Sequence, residues 1–317
     1  MEKMNFVFGH KKPDTDSIAS AISMANLQTN MGDYSQSFRL GNVNRETEFA
    51  LKTFGVKAPE LLDKVDENSN VIMVDSNEFD QSAEGIDKAN IKMIVDHHRL
   101  NLQTSNPVFC MVEPVGCTST ILYKLYKQND IDITPEMAGM MLSAIVSDTL
   151  LFKSPTCTEQ DKLVASRLSS IAGLSMYDYG LNMLKAGTNL DGYTAEEIIN
   201  TDSKPFEKNG IKFVISQINS ADVDSVLEKQ KDIEHAMENE ILLNNLDCYI
   251  FMVTDILEAS SQAIVLGNRR DIFEKAYETK LCNNLAILNG VVSRKKQVLP
   301  KVLDLSLIHI WRCRRLV

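Results

Sequence analysis

None of the six cysteines (110, 117, 157, 248, 282 and 313) stands at C-x-x-C spacing from another, so nothing suggests a thiolate-bound structural zinc. The thiols are read as reduced residues of a cytoplasmic protein. Residues 1–10 carry Glu2 and Lys3 and lack the apolar core of a signal peptide. The most apolar internal stretch, MAGMMLSAIV, is too short to cross a bilayer. Basic charge is scarce: 33 Lys and Arg against 43 Asp and Glu give a net charge of -10. That argues against a nucleic-acid surface, which needs basic patches to displace counterions. There is no internal repeat and no low-complexity segment. The only Trp lies in the closing SLIHIWRCRRLV, a basic stretch with three Arg in an acidic protein. Residues 305–317 are therefore expected to be appended or frame-shifted sequence, outside fold reasoning.

What is present is an ordinary soluble composition, 44% hydrophobic and 24% charged, in a chain of 317 residues, a length that favours two domains. Strand-like runs at 4–9, 71–74 and 92–95 alternate with helical patterns. The first helix follows Asp14 or Thr15 as N-cap, with apolar spacing at Ile18, Ala21, Ile22 and Ala25. SAEGIDKA is expected to form a short helix between the second and third runs. Helices are expected at about 117–128 and at about 135–147, the latter with Pro135 in its first turn. The pattern predicts an α/β domain with a mainly parallel sheet over 1–187, whose ligands gather at the carboxyl ends of strands. A linker is placed at 188–194. A smaller α/β domain over 195–304 is expected to hold strands at 211–218, 248–254 and 261–267, a long amphipathic helix at about 222–245 and a short one at about 270–277.

Three of the strand-like runs end in acid or imidazole. The first leads into His10, Asp14 and Asp16, the second into Asp75, and the third into Asp96, His97 and His98. Asp148 closes the apolar helix of AIVSDTLLFKSP, where a buried carboxylate needs a partner. An Asp at a strand end often only caps the next helix, but of five histidines in the chain three sit at such ends. His10, Asp14, Asp16, Asp75, His97 and Asp148 form a carboxylate and imidazole donor set suited to Mn²⁺, Co²⁺ or Zn²⁺. So many carboxylates in one pocket repel one another unless cations lie among them. Six donors suit two ions sharing a bridging carboxylate, with Asp75 the natural bridge. Such a pair, about 3.5–4 Å apart, can bridge and acidify a water and clamp phosphoryl oxygens.

GHKKPDTDS, VDSNE, VDHHR and LSAIVSDTLLFKSPT resemble the motifs of the DHH phosphoesterase superfamily. Within it, EPVGCTST, GLNMLKAG and GVVSRKKQVLP resemble the manganese-dependent (family II) inorganic pyrophosphatases, over about residues 4–302. The resemblance implies hydrolysis of pyrophosphate by a water activated between two Mn²⁺ per subunit, with Co²⁺ as a substitute and Mg²⁺ as a further ion arriving with substrate. It implies that His98 contacts phosphate and donates a proton. Lys204, Arg294 and Lys295 of a C-terminal DHHA2-like domain would clamp phosphates across an interdomain cleft. It also implies a homodimer through the first domain, with pyrophosphate rather than nucleic acid or membrane as partner. Asp75-Ser76-Asn77 departs from the family's usual Asp-His-Asn, which puts metal affinity or preference in question. The run from ELLDKVDENSN into VIMVDSNE leaves no room for a nucleotide-binding insert, so no adenine-nucleotide control is expected.

Three other readings compete. A DHH phosphodiesterase or oligoribonuclease would carry a GGGH element in the second domain, and none occurs. A non-catalytic metal-dependent binding module would not need His98, Lys204 or Arg294. A cysteine hydrolase built on Cys117 lacks a His partner in its motif.

Overall fold

A computed structural model describes residues 3–104 and 106–303, without the side chains of Lys295 and Lys296. The side chain of Lys295 and the tail at 305–317 thus lie outside the described residues. The chain divides into two compact units, the first ending at Gly187 and the second beginning at Thr188.

The first unit is built on six parallel strands in the order β3-β2-β1-β4-β5-β6. These are β1 Asn5–Phe8, β2 Ser35–Arg39, β3 Glu60–Leu61, β4 Asn70–Val74, β5 Asn90–Asp96 and β6 Phe109–Val112. Alternation along β4 splits its apolar run between two faces. Val71 and Met73 join Phe8, Phe38, Ile86 and Ile94 in one core cluster, while the buried Ile72 and Val74 point to the opposite face.

The helices of this unit are α1 Thr15–Asn30, α2 Arg45–Phe54, α3 Thr118–Gln128, α4 Pro135–Asp148, α5 Glu159–Ala172 and α6 Met176–Gly187. α4 is capped by the Thr134 hydroxyl, begins on Pro135 and is buried from Met137 through Val146. It packs against α1, α2, α3, α5 and α6. Enclosure on every side accounts for a helix that is apolar all round.

The strand order places the site. From β1 the chain builds outward through β2 and β3, then returns to add β4, β5 and β6 on the other flank. The carboxyl ends of β1 and β4 therefore meet where the winding reverses, the point at which such sheets open a crevice.

The second unit has a five-stranded mixed sheet in the order β11-β10-β9-β8-β7, with only β8 and β9 parallel. Its strands are β7 Ser203–Lys208, β8 Ile211–Ser220, β9 Cys248–Asp255, β10 Ser260–Leu266 and β11 Leu285–Asn289. Its helices are α7 Ala195–Asn200, α8 Val223–Leu227, α9 Gln230–Asn244 and α10 Asp271–Ala276. Ile233, Ala236 and Met237 of α9 cover one face. Ile272 and Phe273 of α10, with Val298 and Val302, cover the other. No regular element occurs between Gly187 and Ala195.

Two expectations need correction. SAEGIDKA is not a helix but a bridge and a series of turns. Gly85 sits at φ +83°, and a Cβ there would come within 2.3 Å of the Val65 carbonyl oxygen, so the segment hugs the neighbouring chain. The long helix at 222–245 is two helices. Lys229 leaves the helical region at φ -91°, ψ 11°, and its Nζ donates to the Leu190 carbonyl.

Candidate metal centre

Each candidate ligand is delivered by the end of an element at the sheet's reversal point. Asp14 caps α1, its Oδ1 accepting the Ser17 N–H at 2.9 Å, and its other oxygen lies 3.6 Å from His10 Nε2. Asp16, buried in the first turn of α1, reaches across to α3. It accepts the Thr118 N–H at 2.7 Å and the Ser119 hydroxyl at 3.0 Å. Cys117, which precedes α3, makes no side-chain cap bond of its own, so Asp16 supplies the missing cap at a helix end that favours negative charge.

Asp75 follows β4 in the left-handed region, φ 55°, a conformation Asp tolerates better than most residues. Its N–H donates to the Val95 carbonyl, tying the turn to β5. Asp75 Oδ1 stands 3.4 Å from His97 Nε2, and Oδ2 stands 3.4 Å from His10 Nε2. His97 Nδ1 lies 3.1 Å from the Val115 carbonyl. A carbonyl only accepts, so Nδ1 carries the proton and Nε2 presents its lone pair to the site. Asp148 ends α4 with Oδ2 3.7 Å from His97 Nε2.

Among the described residues, Asp16, Asp75, His97 and Asp148 bring donor atoms within 4.8 Å of one another, and so do His10, Asp14 and Asp75. A third such group joins Asp75 and His97 to His98. Asp75 belongs to all three, with Oδ2 toward His10 and Oδ1 toward His97 and His98.

The electrostatics call for cations. Burial pushes Asp75 up to about 6, and the Asp16 charge adds to the shift. Burial likewise raises Asp148 well above the carboxylate range, reinforced by Asp16, Asp75 and Asp14. Burial alone would lower the histidines, but Asp14 and Asp75 lift His10 to about 10, and Asp75 with Asp16 lifts His97 to about 9. Without a cation the cluster keeps protons in the places where metal charge would sit. The donor chemistry fits. Asp75 Oδ2 is buried and receives no hydrogen bond, although His10 Nε2 stands 3.4 Å away. An orphaned carboxylate oxygen in such a site is a ligand position. All donors are oxygen or imidazole, which suits Mn²⁺.

His98 is the most exposed of the three imidazoles, its side chain 55% exposed. Its Nδ1 and its backbone N–H both lie within bonding distance of Asp96 Oδ1, at 2.9 and 3.0 Å. Asp96 Oδ2 in turn accepts from Asn77 Nδ2. Asp96 raises His98 above the ordinary imidazole value, against some opposition from burial. The sequence signal for the role of Asp96 is a strand-terminal Asp two residues before an imidazole.

Among the sequence-predicted phosphate contacts, Lys204 is exposed on β7, paired with Ile215 of β8. Arg294 lies in a π-helical turn, Arg294–Val298. Its guanidinium donates to the carbonyl and Oδ1 of Asp202 and to the Ile215 carbonyl. The ladder partner of Lys204 thus also touches Arg294, which brings the two together. Asp202 is a further residue that sequence reasoning passed over. Cys117 is fully buried, and burial pushes its thiol well above the ordinary value, which removes it as a nucleophile.

Residues 5–145 match the DHH family, N-terminal domain, and residues 181–305 match the DHHA2 domain. A Brevibacillus brevis protein named "Probable manganese-dependent inorganic pyrophosphatase" is 50% identical over 306 residues, covering 96% of this chain and 98% of its own. One of the same name from Exiguobacterium is 49% identical over 296 residues, covering 93% and 96%. A crystal structure of a Methanococcus jannaschii protein described as a "putative family II inorganic pyrophosphatase" superposes with a TM-score of 0.64 at 40% identity, covering 96% of this chain and 99% of the other.

Proposed function

The chain belongs to the manganese-dependent (family II) inorganic pyrophosphatases of the DHH superfamily, and on that premise we propose that it hydrolyses pyrophosphate to two phosphates. The observation that carries the reading is Asp75, whose two oxygens face two separate imidazoles while one oxygen lacks any hydrogen bond. His10, Asp14 and Asp75 would hold one Mn²⁺, and Asp16, Asp75, His97 and Asp148 the other, with Co²⁺ able to replace it and Mg²⁺ a further ion accompanying substrate. Bound there, the ions supply Lewis acidity for phosphoryl oxygens and for an attacking water.

The chain's own groups do the rest. Asp96 occupies His98 Nδ1, so the remaining proton of the imidazolium is on Nε2. His98 donates that proton to the phosphoryl oxygen that leaves. Lys204 offers a point charge, Lys295 adds a second, and Arg294 offers N–H donors in a planar fork. These groups are proposed to contact the phosphates of pyrophosphate.

Cytoplasmic location and a homodimer through the first unit belong to the same proposal. In support of the dimer, β6 is an edge strand of its sheet with Phe109 53% exposed, the kind of edge that a second chain covers. The test is phosphate release from pyrophosphate, compared with cleavage of a dinucleotide, with Mn²⁺ and Mg²⁺ supplied separately. Pyrophosphate is expected to be turned over and the dinucleotide not; the reverse preference would support a phosphodiesterase.

A further inference from the structure

Glu46 belongs to none of the metal-donor groups, and no step above uses it. It sits in the first turn of α2, behind the Asn44 cap. One of its oxygens, Oε1, accepts two hydroxyls: Thr15 Oγ1 at 2.7 Å and Ser147 Oγ in a close hydrogen bond. Thr15 lies between Asp14 and Asp16, and Ser147 immediately precedes Asp148. Thr15 Oγ1 also lies 3.1 Å from Thr47 Oγ1, which ties α1 to α2 a second time. From the other side Gly187, the last residue of α6, backs onto Glu46. A Cβ at Gly187 would come within 2.8 Å of Glu46 Cβ and 3.0 Å of its Oε2. Four helices therefore converge on this one carboxylate.

That placement has a cost and a use. Burial opposes the Glu46 charge, and Asp14 opposes it further. The use lies in the two helix ends it joins. Asp16 rides on the start of α1 and Asp148 on the end of α4, and their charges repel across the site. Nothing in either helix alone sets the spacing between them.

We infer that Glu46 is a positioning residue that straps the start of α1 to the end of α4 and so holds Asp16 and Asp148 at the spacing of one metal group. The inference rests on the metal reading of the site and deepens it. Because both hydroxyls meet one oxygen, an amide at the same position keeps the strap while removing the charge.

The experiment titrates Mn²⁺ into metal-stripped, full-length protein and follows free and bound Mn²⁺ by electron paramagnetic resonance. Wild type is expected to bind two ions with the signature of a coupled pair. Glu46→Ala should weaken one of them about 10- to 100-fold, the usual scale for residues that orient ligands, and the coupled signal should be lost at stoichiometric metal. Glu46→Gln should bind like wild type, and Ser147→Ala, which removes one leg of the strap, should fall between. A purely structural role would lower the melting temperature of the metal-free protein yet leave the coupled signal intact. The inference is overturned if Glu46→Ala binds both ions as wild type does, or if Glu46→Gln is as weak as Glu46→Ala. Should Glu46→Ala not fold, wild-type affinity in Ser147→Ala overturns it equally. A wild-type protein that binds no Mn²⁺ would sink the metal reading itself, whereas normal wild-type binding with insensitive variants would sink the strap alone.

Discussion

Asp96 Oδ1 binds both Nδ1 and the backbone N–H of His98, at 2.9 and 3.0 Å, while its own second oxygen is held by Asn77. A buried carboxylate thus fixes the orientation of an exposed imidazole and favours its protonated form. His98→Gln is expected to retain both metals and to lose ~10²–10⁴-fold in kcat, the usual worth of a positioned acid. Metal analysis and steady-state kinetics check this, and a metal-free His98→Gln would show that the imidazole is a ligand instead.

The same pair makes a pH prediction with a definite sign. With His98 as the proposed acid, activity falls on the alkaline side as it loses its proton. Asp96 raises His98, so Asp96→Asn should move the alkaline limb of kcat to lower pH while leaving Mn²⁺ content unchanged. An alkaline limb that stays where it is would assign that limb to another group.

Metal uptake should release protons. In the metal-free protein His10 and His97 are lifted to about 10 and about 9. The unfolded chain loses these protons near the ordinary imidazole value of about 6.5. Their contribution to stability is therefore complete below that pH and is lost as pH rises through 9 to 10. The melting temperature of metal-stripped protein should accordingly fall over this window. Near pH 8 each displaced proton should make Mn²⁺ affinity rise about tenfold per pH unit. Calorimetry in buffers of different ionisation enthalpy counts the protons, and none released would contradict the imidazole assignments.

Asp75→Asn separates stability from function. Burial and the Asp16 charge raise Asp75, so the ionised carboxylate strains the metal-free fold. Asn tolerates the left-handed backbone at φ 55° and removes the charge. The metal-free variant should melt a few degrees higher than wild type at pH 8, yet gain little from added Mn²⁺. If Mn²⁺ raised its melting temperature as much as it raises wild type's, Asp75 would not be a shared ligand.

Much of this site was legible because its residues stand next to signals of local structure. Asp14 announces a helix start, Asp75 and His97 end apolar runs, and the parallel sheet follows from their alternation with helices. The residues that hold those groups were harder to find. Asp16 was expected only as a ligand, but it also caps α3, more than a hundred positions along the chain, a pairing that no periodicity encodes. Glu46 looks like any exposed first-turn acid until α1, α4 and α6 close around it. SAEGIDKA has helical composition, and the tertiary approach of Gly85 to Val65 overrides it. The break at Lys229 likewise depends on a distant acceptor, the Leu190 carbonyl.

Arg294 tests the division of labour between the domains. Its Nη1 donates to the carbonyls of Asp202 and Ile215, and its Nη2 donates to Asp202 Oδ1. The planar fork of N–H donors can meet two oxygens of a phosphate, as an ammonium cannot. Arg294→Lys keeps the charge and loses the fork. It should cost about tenfold or more in kcat/KM, or at least ~1.4 kcal/mol of transition-state binding. Because the arginine also holds Asp202 within its own unit, the melting temperature must be measured alongside the kinetics. Slower turnover with unchanged melting identifies a phosphate contact. Lower melting with unchanged kcat/KM would reduce Arg294 to a brace for Asp202, and the clamp would then fall to Lys204 and Lys295.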